Sequence, residues 1–416
     1  MKKFRKKLIS IFVFTISLSF IACMNDMQHQ GNWASPVLDN DVVIVPSNEG
    51  KIHKYFISQN SFDLFNEFPS SDSRIGSFYG DLVLNDDVVY GISYGSDEGE
   101  KCQNKSCISY LFAINIESLD SVWPLEFIQI DGAVVGGVKY SNGNLYFATS
   151  ENDSFSEKGG FFYSVNANNG QIEYKIPIEN RVYNSIEINE DNKIAIVGDT
   201  SGKLSLYNIN KDINLSPENR IISTIETDYS IISPAIKLVN SNLESNYCIG
   251  NINGEIICFK LENLNGFSLT EWASLKIDGW IWSDMKLIAD QNSLFVISLS
   301  GNLYKINADP DSKSLKIIWE QNIDKSGKPV SGILIYDKGP IFNGIIPFDK
   351  DKVVITELNN GSIVEEFPFK EGVQSLPVIN NDYMYFIDKD NKFRGFSLID
   401  RSQRLCFDLK EMKGCD

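Results

Sequence analysis

The sequence is poor in histidine and in basic residues, and each shortage disfavours a class of function. Its 416 residues contain only 2 His, and 38 Lys+Arg face 55 Asp+Glu, which gives a formal net charge of −17. Few histidines leave little material for a His-based metal centre or for acid–base catalysis. The acidic balance disfavours a nucleic-acid partner, because a protein that follows phosphates needs a basic surface.

Motifs of common catalytic sites are scarce as well. We find no H-E-x-x-H, no P-loop and no CxxC pair. Adjacent acids such as Glu365 and Glu366 do not predict a glycosidase pair, because neighbouring strand residues point to opposite faces. The segment 307–312 resembles the first half of a calcium loop but lacks the later Gly and Glu, which favours a strand-connecting turn. We therefore predict no catalytic residue, no metal and no cofactor.

One hydrophobic run stands near the N-terminus and has the form of an export signal. Five basic residues come first, and 15 mostly apolar residues then run from Leu8 to Ala22. The run is short for a membrane span and has the length of a signal-peptide core. No second run of spanning length follows it in the sequence. The sequence therefore predicts an exported protein.

The end of this signal resembles a bacterial lipobox. Ala22 stands directly before Cys23, although Phe20 replaces the usual leucine. In lipoproteins the peptide is cut before this cysteine, which then carries the lipid. We predict a lipoprotein signal peptide over residues 1–22, lipidation of Cys23 and a tether over residues 23–32; an ordinary secretory signal is the alternative. Removal of the signal peptide takes away five basic residues and changes the formal charge from −17 to −22. The lipid would hold the propeller near the membrane, while anionic headgroups would repel its negative charge.

The remaining six cysteines lie in three local pairs. These are Cys102 and Cys107, Cys248 and Cys258, and Cys406 and Cys415. An even number of cysteines in an exported chain favours disulfides over metal ligands. We predict three bridges, the first within an insertion and the last at the C-terminus.

The register of a hairpin supports the middle bridge. An Asn-Gly turn marks the hairpin, and a three-residue loop that ends at Gly254 pairs Asn251 with Glu255. This register sets Cys248 opposite Cys258, with Cα atoms roughly 4.5 Å apart in a non-hydrogen-bonded pair. A disulfide spans that distance. A two-residue loop would instead place the two sulfur atoms on opposite faces.

A repeated unit of about 48 residues fills the rest of the chain. Each unit reads as two apolar strands, a turn that ends in Gly and a further alternating strand, as in residues 35–55. The eight units start near residues 33, 78, 133, 183, 231, 281, 330 and 375. Eight units with room for four short antiparallel strands each predict an all-β, eight-bladed β-propeller over residues 33–416. A pair of β-sandwiches or a solenoid is the alternative architecture.

Several units carry the further spacing A-x-D-x-x-x-G-x-x-x-W. In some units other residues replace the Ala, Asp, Gly or Trp of this pattern. The residues at or near these positions are Ala113, Asn115, Trp123, Asn166, Gly170, Tyr174, Trp272 and Trp319. The spacing resembles the tryptophan-docking repeat of pyrroloquinoline-quinone-type (PQQ-like) propellers, a family of the broad WD40/YVTN-like type. We expect these residues to pack one blade on the next, because a docked aromatic ring buries roughly 150–250 Å².

The resemblance implies one of two functional classes. Quinoprotein dehydrogenases hold a quinone and calcium in the central channel, often beside vicinal cysteines, which this sequence does not contain. Trp280 and Trp282 are expected to form a packed face of an inner strand rather than a quinone site, and His53 is expected at the surface or rim. The other class is non-enzymatic lipoproteins such as the BamB family of outer-membrane protein assembly factors, whose inter-blade loops bind a partner.

The sequence thus predicts a monomeric, lipid-anchored, non-enzymatic propeller that binds a protein partner at the cell envelope. The resemblance implies the β-barrel assembly machinery as that partner. The expected location is the periplasmic face of the outer membrane or the cell surface. A quinone-dependent periplasmic oxidoreductase and a cell-surface ligand-binding or adhesion lipoprotein remain as alternatives.

Overall fold

The computed structural model describes residues 33–59, 61–70, 73–94, 108–150, 159–238, 245–264, 266–288, 292–324, 327–337, 342–350 and 352–415. These ranges contain 33 β-strands and one short 3₁₀ helix, Pro217–Arg220. No helix within them is long and apolar enough to cross a membrane. The predicted signal peptide, the tether with Cys23, and the pair Cys102 and Cys107 lie outside the described residues.

The strands form eight antiparallel sheets that stand around a ring as the blades of a propeller. Blades 1 to 4 contain β1 (Val37–Asp39), β2 (Val42–Pro46), β3 (Ile52–Phe56), β4 (Ser61–Phe68); β5 (Val83–Asn85), β6 (Val88–Ile92), β7 (Ile108–Asn115), β8 (Ile128–Asp131); β9 (Lys139–Ser141), β10 (Asn144–Ala148), β11 (Gly160–Asn166), β12 (Ile172–Ile178); and β13 (Glu187–Asn189), β14 (Ile194–Gly198), β15 (Lys203–Asn208), β16 (Ile221–Glu226). Blades 5 to 8 contain β17 (Ile236–Leu238), β18 (Asn246–Gly250), β19 (Glu255–Asn263), β20 (Phe267–Lys276); β21 (Lys286–Ile288), β22 (Ser293–Ile297), β23 (Asn302–Asp309), β24 (Ser314–Asn322); β25 (Leu334–Asp337), β26 (Phe342–Pro347), β27 (Lys352–Glu357), β28 (Ile363–Pro368); and β29 (Val378–Asn380), β30 (Tyr383–Ile387), β31 (Lys392–Ser397), β32 (Gln403–Asp408), β33 (Lys413–Gly414).

Each blade takes its strands in sequence order, from the innermost strand to the outermost. The prediction of an all-β, eight-bladed propeller is therefore confirmed. The first strand of every blade begins three to six residues after the start that the repeat predicts. The difference from the prediction is in blade 8, where β33 adds a fifth strand beside β32.

Apolar side chains fill the space between neighbouring blades. The second strands are the clearest case: β14 is buried along its whole length, because both faces of its sheet are covered. Eight clusters of buried residues follow one another around the ring, one at each blade interface. The core of this protein is thus divided into eight similar interfaces.

Side-chain packing closes the ring between blades 8 and 1. In the described residues no strand of blade 8 pairs with a strand of blade 1. Instead the ring of Phe62 lies 3.9 Å from that of Phe407, measured between centroids. The Asn380 side-chain amide donates to the Asn40 carbonyl at 2.9 Å. The two ends of the chain therefore meet through the same kind of interface that joins the other blades.

Two of the predicted disulfides lie within the described residues, and both are present. Cys248 faces Cys258 across β18 and β19, with a Cα separation of 4.0 Å. The turn has the predicted register, since the Asn251 N–H donates to the Glu255 carbonyl at 3.1 Å and Gly254 has a φ of 75°. The bridge between Cys406 and Cys415 joins the last strands of blade 8.

Candidate functional site: the central cavity

A cavity of about 520 Å³ lies where the inner ends of the blades converge. All eight blades contribute to its lining, and they do so mainly with the segment that precedes each innermost strand. Thr200 and Ile252, from turns between the second and third strands of blades 4 and 5, also line it. The cavity therefore opens on the face that carries these turns and the connections between blades, which we call the cavity face.

One position of the repeat contributes a residue to the cavity wall in seven of the eight blades. The lining residues four positions before the innermost strand are Trp33, Tyr79, Val135, Tyr183, Ile232, Trp282 and Val330. The residues one position earlier are buried between blades, as Phe78, Val134, Val182, Ile231, Ile281 and Val373 show. The extended backbone thus alternates, with one side chain anchored in the interface and the next facing the cavity.

Aromatic rings from blades that are not neighbours meet inside the cavity. Trp33 of blade 1 contacts Trp282 of blade 6 edge to face, with centroids 5.6 Å apart. On its other side Trp33 contacts Tyr79 of blade 2 at 5.0 Å. The backbone N–H of Trp33 donates to the Phe78 carbonyl at 2.8 Å, which fixes the start of this segment. The three rings together form one aromatic wall.

Two carboxylates and two cations complete the lining: Asp81, Asp284, Arg181 and Lys286. The Lys286 ammonium lies 3.6 Å from the Asp284 carboxylate. Asp81 is exposed to the cavity, and its carboxylate accepts the Ser35 backbone N–H at 2.8 Å. Asp81 is open to the cavity, but the surrounding blades limit its contact with bulk water. This desolvation raises the pKa of its carboxyl group.

Glu187 on the innermost strand of blade 4 is a further perturbed acid near the axis. Burial raises the pKa of its carboxyl group to about 7, while Lys139 and Lys237 act in the opposite direction. The negative charge of Asp284, on blade 6, also contributes to the increase. Acidic groups from different blades therefore influence one another across the centre of the ring.

Some polar groups of the lining are hydrogen-bonded within the protein, and two buried ones have no partner among the described residues. The Asn184 amide donates to the Gly198 and Ile231 carbonyls, both at 3.2 Å. By contrast, Trp282 Nε1 and Ser331 Oγ are buried and have no hydrogen-bond partner in the described part of the chain. Buried donors without a partner are uncommon, because each costs free energy.

Tryptophan docking is seen at two of the predicted repeat positions. Trp123 of blade 2 donates from Nε1 to the Ala167 carbonyl of blade 3 at 2.8 Å. A Cβ on Gly170, whose φ is 75°, would lie 3.0 Å from this indole. Trp319 of blade 6 makes the equivalent bond to the Asn359 carbonyl of blade 7 at 3.1 Å. Glycine is thus required beside each docked ring, since a Cβ on Gly361 would likewise lie 2.8 Å from the Trp319 indole.

The other predicted repeat residues have varied roles. Asn115 and Asn166 accept backbone N–H groups within their own turns, and Ala113 is fully buried between blades 2 and 3. Tyr174 packs between blades 3 and 4, where the Arg220 guanidinium lies 4.1 Å from its ring centroid. Trp272 packs between blades 5 and 6, but its Nε1 finds no acceptor among the described residues.

Two expectations from the sequence are wrong. Trp280 and Trp282 do not form a packed strand face: they precede β21 and line the cavity, and only Ile281 between them is fully buried. His53 does not lie at the rim, since it is 3% exposed on β3. Burial lowers the pKa of its imidazole to about 4. The error on His53 arose because the sequence does not show how the blades cover one another.

Two motif-like segments have structural roles. The letters from Gly91 to Gly95 match the G-x-S-x-G pattern of serine hydrolases, which the sequence analysis overlooked. Ser93 directly follows β6, is fully buried, and accepts the Tyr110 N–H at 3.0 Å, unlike a nucleophile on a strand-to-helix turn. The calcium-like segment is a turn in which Asp309 accepts the backbone N–H groups of Asp311 and Ser312. Within the described ranges no three His, Cys, Asp or Glu side chains are grouped to hold a metal ion.

Comparison with known proteins finds similarity of fold alone. No protein-family model and no curated protein matches the sequence. Among solved structures, BamB from Moraxella catarrhalis superposes with a TM-score of 0.59 over 89% of this chain and 95% of that chain, at 11% identity. The chain shares the fold of BamB. The computationally designed protein Ika8 is similar to the same degree, with a TM-score of 0.60 over 89% of this chain and 97% of its own, also at 11% identity.

Proposed function

We propose that this protein is a non-catalytic binding propeller, anchored by a lipid at the cell envelope, with the cavity face as its binding face. The observation that carries the proposal is the convergence of segments from all eight blades on that one face. Such a face offers a broad surface of variable loops on a rigid ring, which is the usual arrangement of a binding protein.

The proposed lipidation site is close in sequence to a residue of the same face. Trp33 lines the cavity and stands only ten positions after Cys23. Ten residues reach at most about 35 Å. A lipid on Cys23 would therefore hold the cavity face within that distance of the membrane, at the periplasmic side of the outer membrane or at the cell surface.

We further propose that the partner is a protein of the outer-membrane assembly apparatus. The fold shared with BamB and the resemblance to the assembly lipoproteins support this choice. Partner recognition would involve the inter-blade connections, such as the segment around Tyr229, whose side chain is exposed between blades 4 and 5.

The lining does not fit the quinone cofactor of the dehydrogenase class. Pyrroloquinoline quinone carries several carboxylates, which need cationic or metal partners. Here Asp81 and Asp284 present two carboxylates to the same space, and Lys286 already lies beside Asp284. Arg181 is the other cation of the lining, so the carboxylates of the cofactor would compete with Asp81 and Asp284 for two cations, and we do not propose a quinone-dependent oxidoreductase.

Site-specific photocrosslinking in native membranes tests the proposed function. A crosslinker at Tyr229 reports on the cavity face, and a crosslinker at Asp86, in the exposed turn between β5 and β6, reports on the opposite face. We expect β-barrel assembly proteins to be captured from position 229 and not from position 86. Capture from neither position, or equal capture from both, would contradict the proposal.

A Cys23→Ser variant tests the anchor separately. Metabolic labelling with a palmitate analogue should mark the wild type and not this variant. If both carry the label, or neither does, Cys23 is not the lipidation site.

A further inference from the structure

The cavity combines an aromatic wall with hydrogen-bonding groups in a volume suited to a small ligand. Its volume of about 520 Å³ lies within the range of about 300–1,000 Å³ that is usual for ligand pockets. Trp33, Tyr79 and Trp282 are each half-buried, so that part of every ring remains open. These surfaces favour a ligand with apolar faces.

Charge limits the class of ligand further. The lining carries the carboxylates of Asp81 and Asp284 and the cations of Arg181 and Lys286, which sum to zero. An anion would meet the carboxylates, and a cation would meet the guanidinium and the ammonium. A wholly apolar ligand would remove these four charged groups from water, which is costly even where a group keeps a partner in the protein, as Lys286 does beside Asp284. The lining therefore favours a neutral ligand that is rich in hydrogen-bonding groups.

Unused hydrogen-bonding groups in the lining favour the same class of ligand. Trp282 Nε1 and Ser331 Oγ lack partners in the described residues, and both residues line the cavity. The indole N–H is covered in this structure, and Trp33 packs against the same indole. These two lining residues therefore have hydrogen-bonding capacity that the described part of the chain does not use.

We propose that the central cavity binds a neutral saccharide of one or two rings. The C–H faces of the sugar pack on Trp282 and Tyr79, and its hydroxyl groups donate to the Asp81 and Asp284 carboxylates. Arg181 and Lys286 donate to the remaining oxygen atoms of the ligand. This site does not depend on a protein partner, so its test is separate from that of the proposed function.

Saturation-transfer NMR and calorimetry on the purified mature chain test the site. The probes are maltose, cellobiose, trehalose and N,N′-diacetylchitobiose, with glucuronate and spermidine as charged comparators. We expect at least one neutral probe to bind with a Kd on the order of 1 mM or tighter. Trp282→Ala and Asp81→Asn should each weaken that binding at least about tenfold.

Matched variants outside the cavity serve as controls. Trp272→Ala removes an indole from an outer strand, and Asp311→Asn removes an exposed carboxylate from a turn; both should bind the sugar as the wild type does. Asp81→Asn decides the question if Trp282→Ala does not fold. The proposal fails if no neutral probe binds at about 10 mM, if both cavity variants bind normally, or if a charged comparator binds more tightly.

Discussion

The blade interfaces and the cavity lining use the same repeated units in opposite ways. At the interface between blades 2 and 3, Trp123 is 5% exposed and its N–H has an acceptor in the next blade. In the cavity, Trp282 is half-buried, contacts a ring from a distant blade and leaves its N–H without a partner. The interface thus satisfies the indole completely, whereas the cavity leaves part of an indole ring open and its N–H unused.

Removing an indole from each region tests this difference most strongly. Trp123→Ala should lower the free energy of unfolding by about 3–5 kcal/mol, because it leaves a void and an unpaired carbonyl between blades. Trp282→Ala should cost only about 1 kcal/mol, mainly the contact with Trp33. Urea unfolding of the two variants measures both losses. Equal losses would contradict the division into structural and ligand-binding regions.

Titration of His53 tests how well blade 1 excludes water. The imidazole has a pKa of about 4 when folded and about 6.5 when unfolded. Below pH 6.5 His53 therefore binds a proton in the unfolded chain but not in the folded chain. The free energy of unfolding falls as the pH drops toward 4.

The expected contribution of His53 at pH 5 is about 2 kcal/mol. Between pH 7 and pH 5 the free energy of unfolding should fall in both proteins. The fall should be about 2 kcal/mol smaller for His53→Gln than for the wild type. Carboxylates titrate in both proteins, so the difference between them isolates the imidazole. Identical pH profiles would mean that water reaches His53.

Glu187 should show the opposite pH dependence near the axis. Its folded pKa of about 7 lies above the usual value for Glu, so the folded chain keeps its proton longer than the unfolded chain. Stability should therefore fall as the pH rises from about 4.5 to 7. Partial contact with solvent reduces the effect, and Glu187→Gln should stabilise the protein by about 1–2 kcal/mol at pH 8 and by little at pH 4. Denaturation at the two pH values measures this, and a loss of stability at pH 8 would contradict it.

The repeat made the architecture predictable, because each unit repeats the same turns and apolar strands. The Cys248–Cys258 bridge was predictable for a similar local reason: the turn at Gly254 sets the register over only a few residues. The cavity wall was not recognised, although its signal was present. Aligning the eight unit starts would have shown aromatic or aliphatic residues four positions before the innermost strand in seven of the eight units, as at Trp33 and Trp282.

The sequence by itself determined the blades, since strand period, turn residues and docking tryptophans act over short distances. Only the tertiary structure decided what meets at the axis. The Trp33–Trp282 contact joins residues far apart in sequence, and the buried state of His53 depends on blades that cover it. No local rule predicts such contacts, because they follow from the closure of the whole ring.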